Sequence, residues 1–185
     1  MPSRTGLRIF GGLVAGEAMG DMGGHMQTGA GLCFGLGVQA SRKVQIGAAL
    51  SFHLHSSDNL MAENCYTDVE DGVVSTVLAY IHVAAKPQRD TFYFRGALGY
   101  LGYDWKHADS ANATSFVYGP GVGMQHDLGS TVLFYDLTYY FAEDLDEYHS
   151  EGECYAWWQY GSYPTSPGRI SQGWLEVRVG ISGPA

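Results

Sequence analysis

At 185 residues the chain has the size of one domain, and all-β barrels of this length are ordinary. Charged residues make up only 16% of it, while Gly reaches 26 residues and aromatics 14%, so the surface is poor in charge and the backbone rich in Gly. A formal net charge of −9 argues against nucleic-acid binding. No run of 18 apolar residues exists to make a transmembrane helix, and Met1-Pro2-Ser3-Arg4 lacks the apolar core of a secretion signal.

Period-2 alternation predicts eight strands: Leu7 to Glu17, Met26 to Ala40, Lys43 to His55, Val73 to Ala85, Thr91 to Trp105, Ser115 to His126, Thr131 to Ala142, and Ile170 to Ser182. The hairpin from Phe116 to Phe141 sets the pattern. Leu133, Tyr135, Leu137, Tyr139 and Phe141 fall on one parity; Phe134, Asp136, Thr138 and Tyr140 fall on the other. Asp127-Leu128-Gly129-Ser130 is the polar, Gly-containing link that a tight hairpin needs. No segment has helical periodicity, and all 185 residues are expected to form a single barrel domain.

The connections alternate in length. Ser41-Arg42, Lys86 to Asp90 and Asp127 to Ser130 are short, whereas Gly16 to His25, Ser56 to Gly72, Lys106 to Thr114 and Glu143 to Arg169 are longer and polar. An up-and-down barrel therefore gathers its long loops at one end, as bacterial outer-membrane barrels do.

Volume decides which parity faces inward. The bore of an eight-stranded barrel is only just wide enough for side chains to fill it. Leu7, Ile9, Leu13, Leu32, Phe34, Leu36, Val44, Ile46, Phe52, Phe92, Phe94 and their neighbours on the same parity would overfill it. The opposite parity supplies Gly29, Gly31, Cys33, Gly35, Gly37, Gly47, Gly119, Gly121 and Gly123, with the charges Arg8, Arg95, Asp136, Glu176 and Arg178. Small residues and paired charges are expected inside, bulky apolar ones outside. In the fourth strand Val77, Ala79, Ile81 and Val83 are expected to face out. About ten residues at ~3.3 Å each, tilted by ~40°, span about 25 Å, the apolar height of such barrels. Tyr80, Tyr93, Tyr103, Trp105, Tyr139, Tyr140 and Trp174 are expected to form interfacial girdles.

Tyr118-Gly-Pro-Gly-Val-Gly, a short turn, then Phe134-Tyr-Asp-Leu-Thr-Tyr-Tyr-Phe141 resembles the sixth and seventh strands of OmpA-like eight-stranded outer-membrane β-barrels. With the loop rhythm, the resemblance covers nearly the whole chain. It implies an all-β, eight-stranded antiparallel up-and-down transmembrane barrel in a bacterial outer membrane, surrounded by lipid and lipopolysaccharide, with short periplasmic turns and long external loops. Such barrels usually finish with an aromatic residue; this sequence ends Val179-Gly-Ile-Ser-Gly-Pro-Ala185.

Cys65 and Cys154 fall in long loops at the same end, which predicts a disulfide between them in an oxidising compartment, the alternative being two free thiols. Cys33, among lumen glycines, is expected to be a free, small filler. Arg95, Asp136, Glu176 and Arg178 are expected to plug the bore as an ion-pair network; the sharper reading is a gated ion path. His53 and His55 precede Ser56-Ser57-Asp58-Asn59, a set reminiscent of lipid-A-deacylating barrels. Parity turns both His inward, however, whereas such an enzyme needs its triad facing lipid. A metal at i, i+2 lacks a third ligand by spacing.

The last loop joins an acidic run, Glu143-Asp144-Leu145-Asp146-Glu147, to Tyr155, Trp157, Trp158, Tyr160 and Tyr163. Aromatic anchors dominate protein and glycan contacts; a self-packed lid over the barrel mouth is the alternative. The run has no calcium-loop spacing, and the Asn112-Ala113-Thr114 sequon is meaningless in a bacterium. The expected function is a non-enzymatic barrel with a plugged bore that binds a protein or glycan through its loops, without cofactor, catalytic set or metal. The alternatives are a lipid-A-modifying hydrolase using His55 and Ser56, and a soluble barrel carrying a small ligand.

Overall fold

The computed structural model of the protein describes residues 6–20, 27–55, 72–85, 90–105, 113–142 and 172–185. These form eight strands: β1 (Leu7–Gly20), β2 (Gly29–Gln39), β3 (Val44–His55), β4 (Gly72–Ala84), β5 (Asp90–Trp105), β6 (Ala113–Asp127), β7 (Val132–Ala142) and β8 (Gln172–Pro184). Each pairs antiparallel with its neighbours in sequence, and β1 pairs with β8, so the sheet closes into a barrel. Closure leaves no open edge, and every strand finds ladder partners on both sides. All eight expected strands form, with ends displaced by at most three residues.

Alternation fixes what each wall residue meets. Leu36, Phe94 and Leu137 face outward and are 51%, 64% and 43% exposed, whereas Arg178 is 1% exposed inside. Val77, Ile81 and Val83 face out on β4, and Leu78 and Tyr80 face in. An apolar coat around a polar bore inverts the arrangement of a water-soluble barrel. In water so continuous an apolar surface would drive aggregation, so the soluble ligand-carrier reading has no support here.

The short connections follow β2, β4 and β6. In the last of these, Leu128 donates its amide to the Thr131 carbonyl at 2.8 Å, and Gly129 donates to Asp127 Oδ1 at 2.8 Å. Gly129 takes φ +101°, a conformation that costs an L side chain strain. The strand ends that lead to the four long connections all lie at the opposite rim, as the closed up-and-down order requires.

One expectation is overturned. Tyr80, Tyr93, Tyr140 and Trp174 are not girdle residues: they point into the bore and are at most 3% exposed. The cause is the glycine parity they share. A β-carbon at Gly47 would strike the Tyr80 ring, one at Gly123 the Tyr93 ring, and one at Gly16 the Trp174 ring. Each missing side chain on one wall makes room for a ring from another. Phe10 and Phe134 sit in the same way against Gly35 and Gly180. Tyr139, on the outward parity, keeps the expected side. The side chains of Tyr103 and Trp105 fall outside the described residues.

Candidate functional site

The functional candidates converge in the bore. From the middle towards the long-loop end, charges alternate in a chain. Arg95 Nη1 donates to Asp136 Oδ2 at 3.2 Å, and Arg178 Nε lies 3.1 Å from Asp136 Oδ1 and 2.9 Å from Glu176 Oε1. Glu176 Oε2 in turn accepts from Ser51 Oγ at 3.0 Å and lies 3.1 Å from His53 Nε2. The strands dictate this order. Asp136 on β7 stands directly across the ladder from Arg178 on β8, and Glu176 is the next inward residue along β8. Glu176 then reaches across the bore to β3.

Phenol groups complete the network. Tyr93 donates to Asp136 Oδ2 at 3.2 Å, and Arg178 Nη2 donates to the Tyr140 hydroxyl at 3.1 Å. The Tyr140 hydroxyl donates to Glu176 Oε1 at 3.4 Å. Two arginines therefore meet two carboxylates with all four side chains at 0–1% exposure. Buried ions are tolerable only when paired and hydrogen-bonded in this way.

Arg8 sits at the short-turn mouth, where it donates to Ser182 Oγ at 3.3 Å and to the Ser182 carbonyl at 3.4 Å. Cys33 is free, fully buried and faces the bore. His53 and His55 also face inward, at 0% and 2% exposure. His55 Nδ1 lies 2.8 Å from the Gln27 carbonyl, and both imidazoles pack on Trp174 with ring centroids 5.2 Å away. Ser51, His53 and Glu176 bring a hydroxyl, an imidazole and a carboxylate together. However, hydroxyl and carboxylate share the same imidazole nitrogen, the opposite of a relay, and all three are sealed from lipid and water. Among the described residues, no group of three or more His, Cys, Asp or Glu could hold a metal ion.

Sequence reasoning did not single out Ser51, Thr76 or Tyr140 as partners of the acidic centre. Their signal was the inward parity of β3, β4 and β7, where Thr76 Oγ1 lies 2.5 Å from Ser51 Oγ. Cys65, Cys154, Ser56, the acidic run and the aromatic residues Tyr155, Trp157, Trp158, Tyr160 and Tyr163 lie outside the described residues.

No protein-family model and no curated relative matches the sequence. Among solved structures, the fold is similar to neisserial surface protein A (NspA) with a TM-score of 0.68, 8% identity, and 100% of both chains covered. It is also similar to the outer membrane protein OprG from Pseudomonas aeruginosa, with a TM-score of 0.53, 11% identity, 97% of this chain and 95% of that one covered. The chain has the eight-stranded fold of outer-membrane barrels. At 8–11% identity this likeness concerns backbone geometry alone, and what the bore and loops do has to be argued from this chain's own residues.

Proposed function

We propose that this chain is a bacterial outer-membrane barrel, neither an enzyme nor a pore, that presents its long loops to a protein or glycan partner. The packed bore is the observation that carries the reading. Trp174, Glu176 and Arg178, successive inward residues of β8, and Tyr140 of β7 are 0–1% exposed, and moving a solute past them would mean parting two buried ion pairs. A structural plug is the use that best fits a network in which every buried charge has an opposite charge beside it. A catalytic role for His55 fits poorly, because its ring is held inside against Trp174 instead of facing the lipid where acyl chains would lie.

The apolar coat supports a bilayer as the surroundings, with lipid and, on the outer side, lipopolysaccharide as neighbours. The loop sequences support the binding half of the reading. Trp157, Trp158 and three nearby tyrosines within 155–163 are more than a solvated connection needs. A Cys65–Cys154 disulfide would tie that connection to the one after β3.

Three measurements test the proposal. Full-length protein in planar bilayers is expected to stay silent, and steady unitary conductance would sink the closed bore. Protein in nanodiscs is then applied to a glycan array, and intact cells carrying a photo-crosslinker in the 143–169 connection are irradiated. The expected outcome is one partner captured by the wild type and lost in Trp157→Ala/Trp158→Ala while heat-modifiable folding persists. Equal capture by both, or none, rejects loop binding.

A further inference from the structure

The short-turn rim is uneven in charge. Its β2–β3 turn carries Arg42 and Lys43 side by side, both exposed. The backbone of this turn is fixed from within. Ser41 Oγ accepts from the Lys43 and Val44 amides at 3.3 and 3.2 Å, and the Lys43 carbonyl accepts from the Ala84 amide at 2.7 Å. The two basic side chains take no part in these bonds, and among the described residues neither has an acidic partner.

The acids of the described rim are engaged elsewhere. Asp90 Oδ1 lies 3.0 Å from His126 Nδ1, and Asp127 Oδ1 accepts from the Gly129 amide. The β6–β7 turn presents Asp127 and Leu128 and no base. Arg8 is held at the mouth of the bore by Ser182. Two positive charges without a described counter-charge therefore stand together at one place on the rim. Arg42 shares the outward parity of Val44, and the flexible four-carbon stem of Lys43 reaches the same edge.

The outer wall next to this turn suits a hydrocarbon chain. Val44 pairs with Val83, and Ile46 with Ile81, across the β3–β4 ladder. The next outward rung is Ala48 opposite Ala79, both exposed. Leu36 on β2 and Leu98 on β5 flank that rung, so the two alanines leave a shallow dent in the apolar coat. Phe94, the exposed ladder neighbour of Val83, bounds the strip on the β5 side. From Val44 to Ala48, four steps of ~3.3 Å make an apolar seat about 13 Å long that starts at the basic turn.

We propose that the β2–β3 turn and the wall beside it seat one anionic phospholipid of the leaflet at the short-turn end. Its phosphate lies against Arg42 and Lys43, and one acyl chain runs along the valine and isoleucine rungs into the alanine dent. The inference rests on the membrane reading of the apolar coat and is independent of what the loops bind at the opposite end. Each basic residue near an anionic headgroup contributes about fivefold in occupancy at low salt.

The test is native mass spectrometry of the full chain in detergent, titrated separately with phosphatidylglycerol and with phosphatidylcholine of the same acyl chains. The expected result is one phosphatidylglycerol retained at a lipid concentration about tenfold lower than phosphatidylcholine requires. Arg42→Gln/Lys43→Gln leaves the backbone bonds of the turn intact; it is expected to fold, by heat-modifiable migration, and to bring the two lipids level. Lys106→Gln/Arg169→Gln removes the same charge from the long connections and is expected to leave the preference intact. A preference that survives in the turn variant overturns the proposal. So does one that falls equally in both double variants, because net charge alone then explains it. Excess glycerol phosphate is expected to leave the lipid bound; displacement would make the turn a soluble-phosphate site and reject the acyl seat. Equal uptake of both lipids by a wild type that still folds into phosphatidylcholine vesicles rejects the seat and leaves the membrane reading standing. Failure to fold into vesicles of either lipid rejects the membrane reading and the seat with it.

Discussion

The two ends of the bore are built from the same alternation and reach opposite outcomes. Towards the long loops, Trp174, His53, His55, Tyr140, Arg178 and Glu176 are buried at 0–2% exposure and pack against one another and against glycines. Towards the short turns, Tyr80, His82 and Tyr93 stack as a column, and a cavity stays open beside them. The difference lies in where rings and glycines meet. In the upper half, rings from β3 and β8 converge on Gly16, and His55 of β3 covers Gly29. In the lower half, Tyr80 and Tyr93 lie over Gly47 and Gly123 on their own neighbouring strands, which lines the wall and leaves a cavity of about 60 Å³ beside them. Parity determines that a side chain points inward; how far it reaches decides whether the bore closes.

The strongest way to break the comparison is to remove the acid that ties the closed half together. In Glu176→Ala, Arg178 keeps only Asp136 as a carboxylate partner, and His53 and Ser51 lose their acceptor. Removing one partner of a buried ion pair costs about 3–5 kcal/mol, to be read from urea unfolding of the protein in lipid vesicles. An effect below about 1 kcal/mol would show that the network is wet and the closed half is not closed. Next in size is Gly16→Ala, which places a β-carbon where the Trp174 and His53 rings now sit. Overpacking of this kind costs about 1–3 kcal/mol, and the same unfolding curves measure it.

The sequence displayed the alternation, and with it the strand count, the outward coat and the membership of the charge cluster, because period 2 is a strictly local property. It could not display which inward residues meet across the bore. Asp136 facing Arg178 depends on the register between β7 and β8, and Glu176 meeting His53 depends on the stagger accumulated around the closed wall. Residue type misled where it competed with parity. Tyr80, Tyr93, Tyr140 and Trp174 have the chemistry of membrane interfaces, yet they share the parity of Gly47, Gly123 and Arg178. In a narrow barrel a ring opposite a glycine is as well housed as a ring at a headgroup. Parity was the stronger signal, and weighting it above type would have put all four inside.

The last prediction uses the open half. Gln125 faces inward at the rim of the cavity, level with Phe134 across the β6–β7 ladder. Gln125→Phe adds a ring larger than the methyl group that Gly16→Ala adds above, but here the ring can swing into unoccupied volume. The expected change in unfolding free energy is within about 0.5 kcal/mol, as for substitutions that disturb no packed neighbour. A loss as large as that of Gly16→Ala would mean that the lower bore is as tightly filled as the upper one. The two substitutions together thus report whether free volume, rather than charge, separates the ends. Both introduce only carbon, so a difference between them cannot come from charge.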